Sequence, residues 1–181
     1  MVDKNSFFCY DFSIMATPKK IMNFLEKSGV KFEEISHRKV YTAIDKARTL
    51  KSKEDRVAKT VVIKVGKTPF ITVIPANTIL NIEKLKKIVE SMLDKEVNKI
   101  GFASEKWIKE NIKGMKEGAI PPFGSIWKIR VIADKNLLKN REIIINSGSN
   151  TESVKMTSAA FKKAEPELKE AIFSRKKKKG V

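Results

Sequence analysis

The chain is poor in the residues that most often carry enzyme chemistry. Its 181 residues include one cysteine, Cys9, and one histidine, His37. A single cysteine excludes an intramolecular disulfide, and one Cys with one His cannot supply the usual four Cys/His ligands of a structural zinc site. Nothing in the sequence demands a metal or another cofactor. Serine–histidine–aspartate catalysis would rest wholly on His37. Aromatics for a base-stacking platform are also scarce, with two Trp and two Tyr, and the ten phenylalanines fall mostly at core-like spacing. No apolar stretch approaches the roughly 20 residues that span a bilayer. Near the start, Asp3, Lys4 and Asp11 interrupt the apolar Phe7, Phe8, Tyr10 and Phe12. The expectation is a cytoplasmic protein with no membrane partner.

Positive charge is what the chain has in excess, with 38 Lys+Arg against 21 Asp+Glu and a formal charge of +17. Hydrophobic residues make up 41% of the sequence, enough for a core, so the charge does not signal disorder. The run Arg175, Lys176, Lys177, Lys178, Lys179 holds five of the positive charges, and most of the excess lies in the body of the chain. A folded domain this basic attracts phosphates, most often those of nucleic acid. A lysine-rich surface that only keeps the protein soluble gives the same sum. The length suits one domain of roughly 100–200 residues. Three segments are expected: an N-terminal extension or misassigned start over residues 1–14, a domain over 15–174, and a basic flexible tail over 175–181. Met15 followed by Ala16-Thr17-Pro18, a good helix opening, motivates the first boundary.

Thr17 is expected to cap a helix with Pro18 at its first position, an apolar stripe of Ile21, Phe24 and Leu25, and a stop at Gly29. Phe32 to Ser36 reads as a strand. Thr42 with Asp45 resembles a capping box opening a short helix. Thr60 to Val65, a Gly66-Lys67 turn and Phe70 to Ile74 form the strongest β signal, an antiparallel hairpin. Asn81 and Ser104 cap two further helices, with a short strand around Lys99 to Phe102 between them. Beyond a Gly/Pro loop from Glu117 to Ser125, strands are expected over Trp127 to Ala133, Glu142 to Asn146 and Val154 to Met156, with a turn from Asp134 to Arg141. A last helix starts at Ser158. This intermingling predicts a single compact α/β (α+β mixed) domain with a mixed, mostly antiparallel curved sheet flanked by helices.

Four places can carry chemistry. Lys59, at the mouth of the most apolar strand, either holds a phosphate as a point charge or snorkels from a strand end. In Gly118-Ala119-Ile120-Pro121-Pro122-Phe123-Gly124, two prolines stiffen a loop whose glycines permit unusual backbone geometry. Such a loop either aims backbone N–H groups at an oxyanion or is a rigid turn. Pro121 and Pro122 have no N–H, so donors must come from Gly118, Ala119, Ile120, Phe123 or Gly124. Ser147-Gly148-Ser149 is either a close-approach segment for a ligand or an ordinary turn. His37 is the fourth, and a lone histidine is more often a structural hydrogen-bonding residue than a catalyst.

The ordered set is more specific than its parts. His37, Tyr41-Thr42 and Ala47, then Ala58-Lys59-Thr60-Val61-Val62, then Ile74-Pro75-Ala76-Asn77, come first. Phe102-Ala103-Ser104, Gly118 to Gly124, Asp134 and Ser147-Gly148-Ser149 follow. Together they resemble the YbaK/prolyl-tRNA-synthetase-associated editing domain family over roughly Pro18 to Ala164. The resemblance implies a domain that hydrolyses mischarged aminoacyl-tRNA, with the aminoacyl-tRNA acceptor end as partner and an aminoacyl-tRNA synthetase as a further one. It places the family's required lysine on Lys59 and its glycine/proline loop on Gly118 to Pro122. Gly148 falls on a small-residue segment lining the pocket, with Ser147 where an alanine is common. His37, Tyr41 and Thr42 fall near the site entrance.

An aminoacyl ester is already activated, so its hydrolysis needs a positioned water and stabilisation of the tetrahedral oxyanion. Backbone donors of the Gly118 loop would supply the second, an effect of about 3–4 kcal/mol for a single donor. Lys59 would neutralise the 3′-terminal phosphate or ester region and fix the substrate, a catalytic role beside Gly118. The resemblance implies that the neighbouring ribose hydroxyl helps position the water, so no protein base is required. Thr60, Ile120 and Phe123 are the expected lining of an amino-acid pocket for Ala, Cys, Ser, Thr or another small residue. Two rivals stand beside the deacylase: a non-catalytic module of the same fold that binds charged tRNA or a synthetase, and a general basic RNA-binding protein.

Overall fold

A computed structural model describes residues 18–116 and 118–177. The 1–14 segment, the Thr17 cap and residues 178–181 of the expected tail lie outside the described residues. In chain order the elements are α1 (Lys19–Lys27), β1 (Phe32–Ser36), α2 (Ala43–Thr49), β2 (Ala58–Val65), β3 (Thr68–Pro75), β4 (Thr78–Leu80), α3 (Ile82–Leu93) and β5 (Gly101–Phe102). They continue as α4 (Glu105–Asn111), β6 (Arg130–Asp134), α5 (Lys135–Leu138), β7 (Glu142–Asn146), β8 (Glu152–Thr157), α6 (Ser158–Ala164), β9 (Lys169–Ala171) and β10 (Ser174–Lys176). Short 3-10 turns cover Glu54–Arg56 and Gly124–Trp127. No described helix is long and apolar enough to cross a membrane.

The mixed architecture is the expected one, with the strands divided among three sheets. A five-stranded sheet runs β5-β2-β3-β6-β9, a three-stranded sheet β1-β8-β7, and a two-stranded ribbon joins β10 to β4. The β2–β3 hairpin is antiparallel, from Ala58 opposite Pro75 to Val65 opposite Thr68. β3–β6 and β6–β9 are parallel, and the other pairings are antiparallel. β3 is buried on both faces, which is why Phe70-Ile71-Thr72-Val73-Ile74 reads as a near-continuous apolar run.

Alternation along the strands divides the core. On one face Val62, Ile71, Val73, Val131 and Ala133 pack with Ile21 and Leu25 of α1, Phe161 of α6 and the inner residues of β7 and β8. On the other face Ile63, Val65, Phe70, Ile74 and Ile132 pack with Leu85 and Val89 of α3 and with Phe173. Each fully buried aliphatic or aromatic side chain contributes roughly 1.5–3 kcal/mol.

Local chemistry explains where the expectations held and where they shifted. Thr42, Asn81 and Ser104 each accept a backbone N–H as caps. Pro18 stands at the N-cap of α1 rather than inside it, with ψ near 130°. β6 begins at Arg130, later than expected, because Trp127 closes a 3-10 turn and Lys128 follows in the left-handed region at φ 57°. The expected turn after Asp134 contains the one-turn helix α5, capped by that aspartate.

The largest correction concerns the tail. α6 stops at Ala164, since Pro166 disfavours a helical residue before it. The chain then extends, and Arg175 and Lys176 lie in β10, paired with Ile79 and Thr78. The buried Asp134 carboxylate fixes this strand, with Oδ2 accepting Phe173 N–H at 2.9 Å and Ser174 N–H at 2.6 Å. Residues 175 and 176 are therefore part of the fold and not of a flexible arm.

Candidate functional site

The Gly/Pro loop links α4 to the 3-10 turn at Gly124, and its anchoring begins with side chains that point inward. Phe123 is fully buried, its ring 5.1 Å from that of Phe24 and 5.9 Å from that of Phe161. It therefore roots the loop in the core and does not line an open pocket, contrary to the expectation for this residue. Ile120 packs into the same cluster. Pro121, Pro122 and Gly124 are buried, while Gly118 is exposed. Gly124 lies so close to Ile129 O and Val131 that a Cβ there would overlap both.

Two glycines let backbones meet at the rim. Gly118 has φ +73°, and a Cβ on it would come within 3.0 Å of Tyr41 O. Gly148 has φ +94°, and a Cβ would overlap Met115 Sδ. Gly148 N–H donates to Ala119 O at 2.9 Å, and Lys116 N–H donates to Gly148 O at 3.0 Å. These two backbone hydrogen bonds bring the Ser147-Gly148-Ser149 segment and the loop together.

Donor accounting narrows the loop's capacity. Ala119 N–H is spent on Lys116 O at 3.1 Å, which removes it from the expected oxyanion donors. The N–H groups of Gly118, Ile120, Phe123 and Gly124 make no hydrogen bond to a described residue. Ser125, at the loop's exit, donates its N–H and hydroxyl to the Glu165 carboxylate at 3.1 and 2.7 Å. Burial pushes the Glu165 carboxyl pKa up, and the Ser125 bonds oppose that shift.

A residue pair absent from the sequence reading holds the loop from below. Asn146, buried at the end of β7, donates its amide to Ile120 O at 3.2 Å and to Gly118 O at 3.4 Å. Its Oδ1 accepts from Lys46 Nζ at 2.5 Å. Lys46 is 4% exposed, and burial lowers its pKa from 10.5 to about 8. The signal for this lysine was its position: Ala43, Lys46, Ala47 and Leu50 share one face of α2 at helical spacing.

The remaining candidates divide. Thr60 lies on the sheet face of Ala58 and Val62, and its hydroxyl is buried with no partner among the described residues. His37 bridges Arg38 O through Nδ1 and Ser153 Oγ through Nε2, each at 2.8 Å. A carbonyl only accepts, so Nδ1 carries the proton and Nε2 accepts from the serine when the ring is neutral. Thr42 is committed to α2, accepting Asp45 N–H at 3.1 Å and donating to Asp45 Oδ2 at 2.6 Å. Tyr41 is exposed, with Lys39 Nζ 5.2 Å from its ring centroid. Ser147 donates to Glu152 O, and Ser149 bonds Thr151 within its own turn.

Lys59 is placed apart from these. It pairs across the hairpin with Ile74, whose side chain belongs to the core on the other face of the sheet. Its Nζ donates to Thr78 O at 2.5 Å, at the edge of an apolar recess of about 240 Å³ that includes Leu80, Ile82 and Phe102. Burial first, and then the like charge of Lys177, lowers its pKa. Lys59 and Thr60, neighbours in the motif, thus serve opposite faces.

Comparison with known proteins bears on the fold and the family. A search of curated proteins returns no match. Among solved structures, a hypothetical protein superposes with a TM-score of 0.73 at 18% identity, covering 86% of this chain and 99% of its own. A crystal structure of a candidate trans-editing enzyme for prolyl-tRNA synthetase gives 0.72 at 18% identity, covering 87% and 96%. At such identities these neighbours speak to the fold. The model of the aminoacyl-tRNA editing domain matches residues 37–164, a span that includes α2, the hairpin, the Gly/Pro loop and Gly148. The chain belongs to the aminoacyl-tRNA editing domain family.

Proposed function

We propose that this protein is a trans-acting aminoacyl-tRNA deacylase whose catalytic centre is the Gly118–Pro122 loop. The observation that carries the reading is a loop held from beneath by Asn146 and Lys46 while the N–H groups of Gly118 and Ile120 stay unspent. Donors fixed before the substrate arrives are what transition-state stabilisation requires. Water attacks the ester carbonyl, and the developing oxyanion is met by the Gly118 and Ile120 N–H groups. The carbon–oxygen bond to the ribose then breaks, releasing the free amino acid and a ribose hydroxyl. The unpartnered Thr60 hydroxyl supports a polar contact on the same side of the sheet. Lys59, on the opposite face, holds a phosphate of the acceptor strand and takes no part at the carbonyl.

The rival reading is a non-catalytic module that binds charged tRNA or a synthetase. Its support is the separation of Lys59 from the loop, the residue that the family resemblance places at the chemistry. A panel of mischarged tRNAs, incubated with wild type and Lys59→Ala, decides between them. The deacylase reading expects ester loss above the spontaneous rate on at least one small aminoacyl group, with Lys59→Ala raising KM more than it lowers kcat. No ester loss on any substrate leaves the binding module standing.

A further inference from the structure

Away from the loop, a cleft of about 680 Å³ opens beside β10. Lys53, Lys139, Arg175 and Lys176 stand around it, all exposed, together with Asp55 and Ser174. Its walls are fixed. Asp134 holds the start of β10 through the Phe173 and Ser174 N–H groups. On the facing side Asn140 donates to Asp55 O at 3.0 Å, and Ala76 N–H donates to Glu54 O at 3.1 Å. Two polar atoms in these walls are left unused: Asp55 Oδ1 and Ser174 Oγ are buried and have no hydrogen-bond partner among the described residues.

That combination selects among ligands. Four cations against the carboxylates of Glu54 and Asp55 attract an anion, yet an unsatisfied carboxylate oxygen at the same place repels a bare phosphate. A chain that alternates phosphate with hydroxyl satisfies both, since the hydroxyl donates to Asp55 and accepts from Ser174. We propose that the cleft binds the ribose-phosphate backbone of RNA, with Lys53, Lys139, Arg175 and Lys176 on the phosphates and Asp55 and Ser174 on ribose 2′-hydroxyls. The inference rests on the deacylase reading only for which RNA arrives there. Binding of uncharged RNA is independent of ester hydrolysis, so failure of one leaves the other testable.

The experiment is fluorescence anisotropy on the full chain, with uncharged tRNA, a matched pair of short RNA and DNA strands, and ATP as a free nucleotide. The triple variant Lys53→Ala, Lys139→Ala, Lys176→Ala changes only exposed side chains. It is expected to weaken tRNA binding about tenfold or more and to flatten the log–log salt dependence by roughly 2–3. A matched triple at the exposed Lys27, Lys31 and Lys109, outside the cleft, is expected to weaken binding less than about threefold. Asp55→Asn and Ser174→Ala are expected to erase a severalfold preference for RNA over DNA, roughly the effect of one or two hydrogen bonds, with the salt slope unchanged. Equal losses in the two triples, or no preference for RNA in wild type, would overturn the proposal. ATP binding as tightly as tRNA and with the same dependence on the triple would replace the RNA strand by a free nucleotide.

Discussion

The Gly118 loop and the β10 cleft are built on opposite plans. The loop segment from Gly118 to Gly124 carries no charged side chain, is buried from Ala119 onward, and has its Gly118 and Ile120 carbonyls held by a buried amide that a buried ammonium braces. The cleft presents exposed cations on walls fixed by a buried carboxylate. Fixed dipoles suit a charge that develops within one bond, because they need no reorganisation when it appears. Exposed cations suit a charge already spread along a polymer, where long range and tolerance of position matter more than ångström placement. On the proposed reading, one chain uses unspent N–H groups for the chemistry and its most abundant residue, lysine, for capture.

Substitutions that touch one plan should leave the other's signature in place. Gly118→Val gives the largest effect. A β-branched residue at φ +73° is strained, and its Cβ would crowd Tyr41 O. Turnover of a mischarged tRNA should fall about 10²–10³-fold, with tRNA affinity by anisotropy within about threefold of wild type. Next is Asp134→Ala, which removes the acceptor for Phe173 and Ser174 N–H together with the α5 cap. Denaturant unfolding should show a loss of about 3 kcal/mol, accompanied by weaker tRNA binding as β10 loses its anchor.

Lys46 offers a pH test of the buried support. Between pH about 8 and 10.5 the folded chain has released the Lys46 proton while the unfolded chain still holds it. The unfolded state then binds more protons, so rising pH favours the folded state across this window. Relative to Lys46→Met, wild-type stability should climb by up to about 1.4 kcal/mol per pH unit there, read from urea midpoints at several pH values. A difference that stays flat from pH 8 to 10 would place the ammonium in contact with water. Thr42→Ala is the smallest change, a cap loss of about 1 kcal/mol by thermal unfolding. It should disturb neither centre, and a large fall in turnover would assign Thr42 a role at the ester beyond its cap.

Much of this was legible because local rules decided it. The hairpin register follows from two apolar runs and a Gly66-Lys67 turn, and the caps at Thr42, Asn81 and Ser104 follow from side-chain chemistry within one turn. The loop stood out through its prolines and glycines. What stayed hidden depends on partners distant in sequence. β10 is three residues of polar and charged sequence, two of which read as tail until Asp134 and β4 are in place. Lys46 reads as one more helix-surface lysine, although its spacing with Ala43 and Ala47 puts it on the inner face. Lys59 and Thr60 are neighbours in one motif, while the period-two alternation of a strand sends adjacent side chains to opposite faces. Ala119 illustrates the same limit, since only the folded loop reveals that its N–H is already spent on Lys116 O.

The most direct test of the central claim is single-turnover hydrolysis of a mischarged tRNA at saturating enzyme, comparing wild type with Gly118→Val at a temperature where circular dichroism shows both folded. The account predicts measurable ester loss by wild type and a rate about 10²–10³-fold lower in the variant. Equal rates in the two proteins would contradict a catalytic centre built on the Gly118 loop.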